Sequence, residues 1–306
     1  MGEIPKNKMP KLAAFAKGFI KQLVSGEMSV YEWIDLADGL RVDGLEFYFN
    51  YKDLQDKSNW SKIRSAVEAK GMTIPMMCAS PDFTIPDSNL RKAEIEKEIF
   101  AIEMSAALGA KYCRVLSGQR RKEITYEEGM KYVVDSINEC IPTAEKYGIT
   151  LILENHYKDD FWTEPEFAQM MGVFVDLVNR IESKSFAVNF DPSNAIAAGE
   201  EPLELLEKVK HRVVTMHASD RYLANGTVED LRKAEGGTPG YVSFFKHGVI
   251  GKGLNDYDAI FSTLKAVGFD GWISIEDGVD GMDQMYESAK FLQEKIKKYW
   301  PQYQVR

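Results

Sequence analysis

Along this chain, short apolar runs alternate with longer stretches in which apolar residues recur every three or four positions. The short runs suit buried strands, and the longer spacing suits helices with one buried face. Strands are predicted near 11–17 (KLAAFAK), 43–49 (DGLEFYF), 72–78 (MTIPMMC), 111–116 (KYCRVL), 149–154 (ITLILE), 186–190 (FAVNF), 213–217 (VVTMH) and 271–276 (GWISIE). Helical spacing covers about 29–38, 58–70, 88–109, 125–147, 164–182, 202–210, 255–267 and 281–298. Ser29, Ser58, Ser88, Thr125 and Thr163 stand where side-chain N-caps are expected. Gly109 and Gly148 stand where helices stop just before strands.

Strands and helices in strict alternation imply a parallel sheet, because parallel neighbours need crossover connections. Eight such pairs over this length predict a single (β/α)8 TIM barrel spanning residues 1–306, with a long loop insertion at about 218–254. An open doubly wound sheet would bring a glycine-rich fingerprint after its first strand, and none is there. The GVIGKG stretch at 248–253 follows no evident strand and lacks a GK[ST] ending, so it is not read as a phosphate loop.

The 306 residues are 44% hydrophobic and 28% charged, as expected of a globular chain. A net charge of −9 with only four histidines argues against a nucleic-acid reader, including a barrel endonuclease for abasic DNA. Cys78, Cys113 and Cys140 show no CxxC spacing and are expected to be reduced, in a cytoplasmic protein. No apolar run approaches the ~20 residues of a membrane helix, so no membrane partner is expected. The lysine-bearing start is broken by Lys17 and is read as leading into the first strand rather than as a signal peptide.

The polar ends of the later strands change the picture. Strand five ends in Glu154, Asn155 and His156; strand six runs into Asp191; strand seven ends in His217; strand eight ends in Glu276 and Asp277. Active sites of such barrels lie at these C-terminal ends. Three carboxylates sharing one mouth repel each other, and a divalent cation removes that conflict. Oxygen and nitrogen donors without sulfur suit Mn²⁺, which is favoured, or Mg²⁺, Co²⁺ or Zn²⁺. Glu154, Asp191, His217 and Glu276 are therefore the candidate metal ligands.

LILENH, NFDPSN, TMHASD and SIED, in this order, resemble the xylose-isomerase-like barrels of the sugar isomerase and epimerase superfamily. The resemblance implies the same four ligands and an enzyme that abstracts a proton next to a sugar carbonyl, with Glu154 and Glu276 sharing in catalysis. Asn194 stands where epimerases of the group carry the histidine of DxxH, and Ser219 where isomerases carry the lysine of HxKD. HGVIGKGLNDYD (247–258) and GFDGWISIEDG (268–278) resemble the catalytic α subunits of C-glycoside deglycosidases, which implies a lyase acting on 3-keto glycosides with His156 as base. That likeness also implies a small second subunit; a homo-oligomer is the other arrangement considered. Aldose–ketose isomerase or ketose 3-epimerase, and a non-catalytic sugar-binding barrel, are the alternatives. Glu46, Asn194, Arg221 and His247 are candidate contacts to a small sugar or glycoside. Trp33, Trp60 and Trp162 are expected to pack in the interior, with sugar stacking as their functional reading. KAEIEKE (92–98) and EKIKK (294–298) are expected to be solvated helix faces.

Overall fold

In the computed structural model, residues 9–159, 161–235 and 242–306 are described; the first eight residues, Asp160 and part of the long insertion, 236–241, lie outside them. The sheet strands are β1 (Lys11–Phe15), β2 (Gly44–Tyr48), β3 (Met76–Cys78), β4 (Tyr112–Val115), β5 (Thr150–Glu154), β6 (Phe186–Phe190) and β7 (Val213–Ala218). A hairpin, β8 (Asp220–Leu223) and β9 (Phe245–Gly248), precedes the last barrel strand, β10 (Trp272–Ile275). The barrel closes in the order β1-β10-β7-β6-β5-β4-β3-β2 with every neighbour parallel, Lys11 pairing with Trp272 across the seam. This is the single (β/α)8 barrel the periodicity predicts.

The helices are α1 (Ile20–Ser25), α2 (Val30–Asp38), α3 (Trp60–Ala69), α4 (Ser88–Leu108), α5 (Tyr126–Tyr147), α6 (Met171–Arg180), α7 (Pro192–Ala197), α8 (Pro202–Val209), α9 (Val228–Glu235), α10 (Tyr257–Ala266) and α11 (Met282–Tyr299). Ser29 and Thr125 build full capping boxes with Glu32 and Glu128. Ser58 and Ser88 do not cap: Asp87 caps α4, while Asp56 caps only the short 3-10 turn Lys57–Asn59 before α3, whose own N-cap, Asn59, makes no side-chain cap bond. Thr163 does not open a helix either; its N–H bonds Gln119 and α6 begins later, after Met170. Gly109 and Gly148 stop α4 and α5 in the left-handed conformation, at φ 81° and 67°.

The insertion at 218–254 is not a plain loop. It holds the β8–β9 hairpin and α9, which pack a small apolar cluster of Tyr157, Ile196, Leu231 and Phe245 beside the barrel mouth. GVIGKG therefore does follow a strand, yet it binds no phosphate with its backbone. Its N–H groups at Gly251 and Gly253 donate to Asp220 Oδ2 at 2.9 and 3.0 Å, and Asn255 N–H donates to Oδ1 at 3.2 Å. The chain's own carboxylate fills the turn.

Trp33 and Trp60 lie in the core, and the three cysteines are free and buried. Among the described residues no helix is long and apolar enough to cross a membrane. Lys295 and Lys298 of EKIKK pair with Asp258, but KAEIEKE is not wholly solvated. Its last residue, Glu98, is fully buried, with Oε1 accepting from Cys113 Sγ at 3.4 Å and Oε2 without a hydrogen-bond partner. Burial pushes its carboxyl up to about 8.

That shift has a stability consequence. Between the ordinary carboxyl range and pH 8 the folded chain holds a proton that the unfolded chain releases, so stability falls as pH rises through this window and levels off above it. Glu98→Gln removes the effect. Urea unfolding should find the variant and the natural chain similar near pH 4, with the variant gaining about 1.4 kcal/mol per pH unit on the way to pH 8. Parallel pH profiles would refute this.

Candidate active site

Strands buried on both faces read as continuous apolar runs, and Leu151, Ile152 and Leu153 of β5 are wholly buried. The polar group that ends such a strand emerges at the barrel mouth. Asn155 then ties two strand ends together: its Nδ2 donates to Asp191 O at 2.6 Å, and Asp191 N–H donates to its Oδ1 at 2.8 Å. Asp191 is the N-cap of α7, and its Oδ1 accepts from Ser193 N, Asn194 N and Ser219 Oγ at 2.8, 3.0 and 2.8 Å. Its Oδ2 is buried without a hydrogen-bond partner.

The four residues predicted from the strand ends come together. Glu154, Asp191, His217 and Glu276 each offer one donor atom, and these atoms lie within 4.8 Å of one another, all buried. His217 Nδ1 lies 3.1 Å from Glu154 Oε1 and 3.4 Å from Glu276 Oε2. Its other nitrogen, Nε2, lies 3.0 Å from Glu46 Oε2, and its ring stacks on Phe15. Glu46, expected to touch sugar, is instead fully buried on β2 behind His217. With Nε2–H donated to Glu46, the imidazole keeps Nδ1 for the cluster.

Two cations that the strand-end reading missed sit against these carboxylates. Arg114 Nη1 donates to Glu154 Oε2 at 2.8 Å, and Lys17 Nζ to Glu276 Oε1 at 3.0 Å. Arg114 was visible in principle: a guanidinium inside the apolar run KYCRVL needs a buried anion. For Glu154, burial works against ionisation, but His217 and Arg114 outweigh it and hold the carboxyl at about 2. Glu276 is likewise held low, Lys17 and His217 outweighing burial. Asp191 goes the other way, to about 7, through burial and repulsion from Glu276 and Glu154. His217 rises well above 6.5, burial being overcome by Glu154, Glu276 and Glu46. The orphaned, buried Asp191 oxygen beside an imidazole and two carboxylates fits a divalent cation, which these four side chains could hold.

A small cavity, about 30 Å³, opens beside this cluster, lined by Phe15, Lys17, Tyr48, His156, Phe161 and Glu276 among others. His156 is buried, with Nδ1 3.3 Å from Glu166 Oε2. Burial alone would lower its pKa; the charges of Glu154 and Glu166 raise it instead. Asn194 Nδ2 reaches Glu154 Oε1 at 3.4 Å. Arg221 and His247 face each other across the hairpin; Arg221 is buried and lies over Phe245. Burial and the charges of Arg221 and Lys17 push His247 down to about 2, so it stays neutral. Trp162 is half-buried and does not line this cavity.

A family model for xylose isomerase-like TIM barrels matches residues 34–295. Among curated proteins, the 3-oxo-isoapionate decarboxylase of Pectobacterium atrosepticum is 28% identical over 166 residues, covering 54% of this chain and 50% of that protein. The inosose dehydratase of Geobacillus thermodenitrificans is 23% identical over 159 residues, covering 51% and 49%. The chain thus spans about half the length of these curated relatives. Among solved structures, the IolI protein with a bound zinc atom superposes with a TM-score of 0.73 at 19% identity, covering 94% of this chain and 99% of that one.

The geometry sets two expectations. Glu46→Leu should leave far-ultraviolet circular dichroism unchanged but weaken Mn²⁺ binding roughly 10–100-fold in calorimetric titration, since His217 Nε2 then loses its carboxylate partner; unchanged affinity would count against that role. Binding must also displace protons from Asp191 and from His217 Nδ1. Mn²⁺ affinity should therefore climb as pH rises through about 7, with proton uptake by the buffer seen in its ionisation heat. A pH-independent affinity would contradict the assignment.

Proposed function

The chain belongs to the xylose isomerase-like TIM-barrel family, and from that premise we propose that it is a divalent-metal-dependent enzyme that removes a proton from carbon next to a sugar carbonyl. The observation that carries the reading is the buried convergence of Glu154, Asp191, His217 and Glu276 beside a cavity that His156 lines. A divalent cation held by those four, Mn²⁺ favoured, supplies a Lewis acid that stabilises negative charge developing on the carbonyl oxygen and its neighbour. Asp191 Oδ2, buried without a hydrogen-bond partner beside Glu154, His217 and Glu276, is the oxygen a divalent ion would satisfy.

The side chains divide the remaining work. His156, which lines the cavity, takes the proton, and the charge of the Glu166 carboxylate 3.3 Å from its Nδ1 stabilises the imidazolium that forms. Glu166 is itself fixed, its Oε1 accepting from Ser117 N–H and Oγ at 2.8 Å each. Phe161 stacks flat on Tyr48 at 6.3 Å and walls the cavity against bulk water. Lack of a lysine at Ser219 and of a histidine at Asn194 favours a lyase over a sugar isomerase or 3-epimerase. The names of the two curated relatives support charge on a carbonyl oxygen, rather than proton abstraction itself, as the shared element. Loss of CO2 from a 3-oxo acid and dehydration beside a ketone both place negative charge on a carbonyl oxygen. The narrower reading is a lyase that cleaves 3-keto glycosides, with 3-keto C-glycosides the class that the late-strand resemblance implies.

Chelation of the purified protein should abolish turnover, and Mn²⁺ should restore it, in assays on 3-keto glycosides run beside free ketohexoses. Full activity in metal-free protein would sink the metal reading, and turnover of the ketohexoses alone would replace the lyase with an epimerase or isomerase.

A further inference from the structure

A second cleft, of about 380 Å³, opens between helix α4 and the segments that follow β2 and β3. It shares no lining residue with the cavity beside the four-residue cluster. One part of its wall is aromatic: Phe49 and Phe100 meet edge to face, ring centroids 6.0 Å apart. The polar part offers acceptors. Asn50 spends its Nδ2 on Tyr48 Oη at 3.0 Å, and Gln55 its Nε2 on Phe49 O at 2.7 Å, so each amide keeps its own carbonyl oxygen. The Ser80 hydroxyl is engaged twice, accepting from Arg114 Nη2 at 2.9 Å and donating to Asp159 Oδ2 at 2.6 Å. Lys97 pairs with Glu94 Oε1. Glu98, one turn along α4 from Glu94, is then left with no bonded cation among the described residues. It is fully buried; its Oε1 accepts from Cys113 Sγ at 3.4 Å, and its Oε2 has no hydrogen-bond partner. A buried carboxyl oxygen without a partner is costly.

We infer that this cleft is a second ligand site, which binds a small organic ammonium with its N–H groups on Glu98 and its carbon skeleton against Phe49 and Phe100. Three features select that class. The oxygens left over on Asn50, Gln55 and Glu98 are acceptors, so the occupant brings donors. Glu98 is a carboxyl without a cation, and a positive charge close by is what lets a buried carboxyl ionise. The two rings suit a cation as well as apolar carbon, since an aromatic face attracts positive charge. An anionic occupant would meet Glu94 and Glu98 together and be repelled. Burial holds the proton on Glu98 up to about 8, against the hydrogen bond from Cys113 and the charge of Arg114, both on β4, and with the help of Glu94 on its own helix. Cys140 of α5 also faces it. The ammonium takes the place of that proton. The site is independent of the metal cluster and of the reaction proposed there.

The test titrates the full chain with benzylammonium and with benzyl alcohol, its neutral counterpart, in a calorimeter. Mn²⁺ is present throughout, so that the four-residue cluster does not itself take the organic cation, and the pH is 8, where Glu98 in the empty cleft is already partly ionised. Benzylammonium should bind once per chain with a dissociation constant of about 1 mM or below, and benzyl alcohol should bind far more weakly. Glu98→Gln keeps the shape of the wall and removes the charge. It should weaken benzylammonium about 10–100-fold, the usual worth of a charge-assisted hydrogen bond, and leave benzyl alcohol as it was. Gln55→Lys, at an exposed position of the wall, sets a competing ammonium beside the cleft and should weaken benzylammonium alone. Circular dichroism establishes that each variant is folded, and the exposed position keeps the test decisive if Glu98→Gln does not fold. Equal affinity for the two probes, an affinity for benzylammonium that the folded variants do not alter, or no saturable binding to the natural chain would each overturn the inference.

Discussion

The repulsion among Glu154, Asp191 and Glu276 is the constraint around which the mouth of this barrel is built. Four adjacent strands force these side chains and His217 into a space less than 5 Å across, away from water. Unlike charges on every side answer that crowding. His217 faces Glu154 and Glu276 with one nitrogen and Glu46 with the other, Arg114 grips Glu154, and Lys17 grips Glu276. Asp191 alone among the three carboxylates has no cation bonded to it, and it is the one whose proton is retained towards neutrality. Its buried Oδ2, with no hydrogen-bond partner, is the oxygen a divalent ion would meet.

Much of this was legible before any coordinates. A parallel strand buried on both faces must be apolar throughout, so the first polar residue at its C-terminal end is informative, and Glu154, Asp191, His217 and Glu276 could be read from strand endings alone. Helix caps were less legible: Asp87 outcompetes the neighbouring Ser88, and nothing in local spacing says which oxygen will reach the free N–H groups. Pairings across the barrel were hidden altogether. Glu46 and His217 are 171 positions apart, and Lys17 and Glu276 are 259 apart, so only closure of the sheet makes them partners. Glu98 was hidden for a related reason. The charged helix it sits on looks exposed, yet the next layer turns that one position inward against Cys113.

The insertion shows how a misleading motif arises. GVIGKG has the glycine density of an anion-binding turn, and its N–H groups do converge on an anion. Asp220, which opens the hairpin, is that anion, and the same carboxylate accepts from Arg221 N–H. The glycines are needed for close approach: a Cβ at Gly253 would fall 2.3 Å from Asp220 Oδ1. Asn255 extends the lock by donating to Ser193 Oγ and Ser219 O, so the hairpin base is fastened to the same α7 turn that holds Asp191.

One chain of contacts leaves the centre for the rim. Glu154 accepts from Arg114, Arg114 donates to Ser80, Ser80 donates to Asp159, and Asp159 also accepts from Tyr48, on which the exposed ring of Phe161 lies. Each link has its direction fixed by which partner can donate, so the sequence behaves as a relay with little slack. The carboxylate at the barrel mouth and the exposed ring at its entrance are thus joined by one unbroken set of contacts.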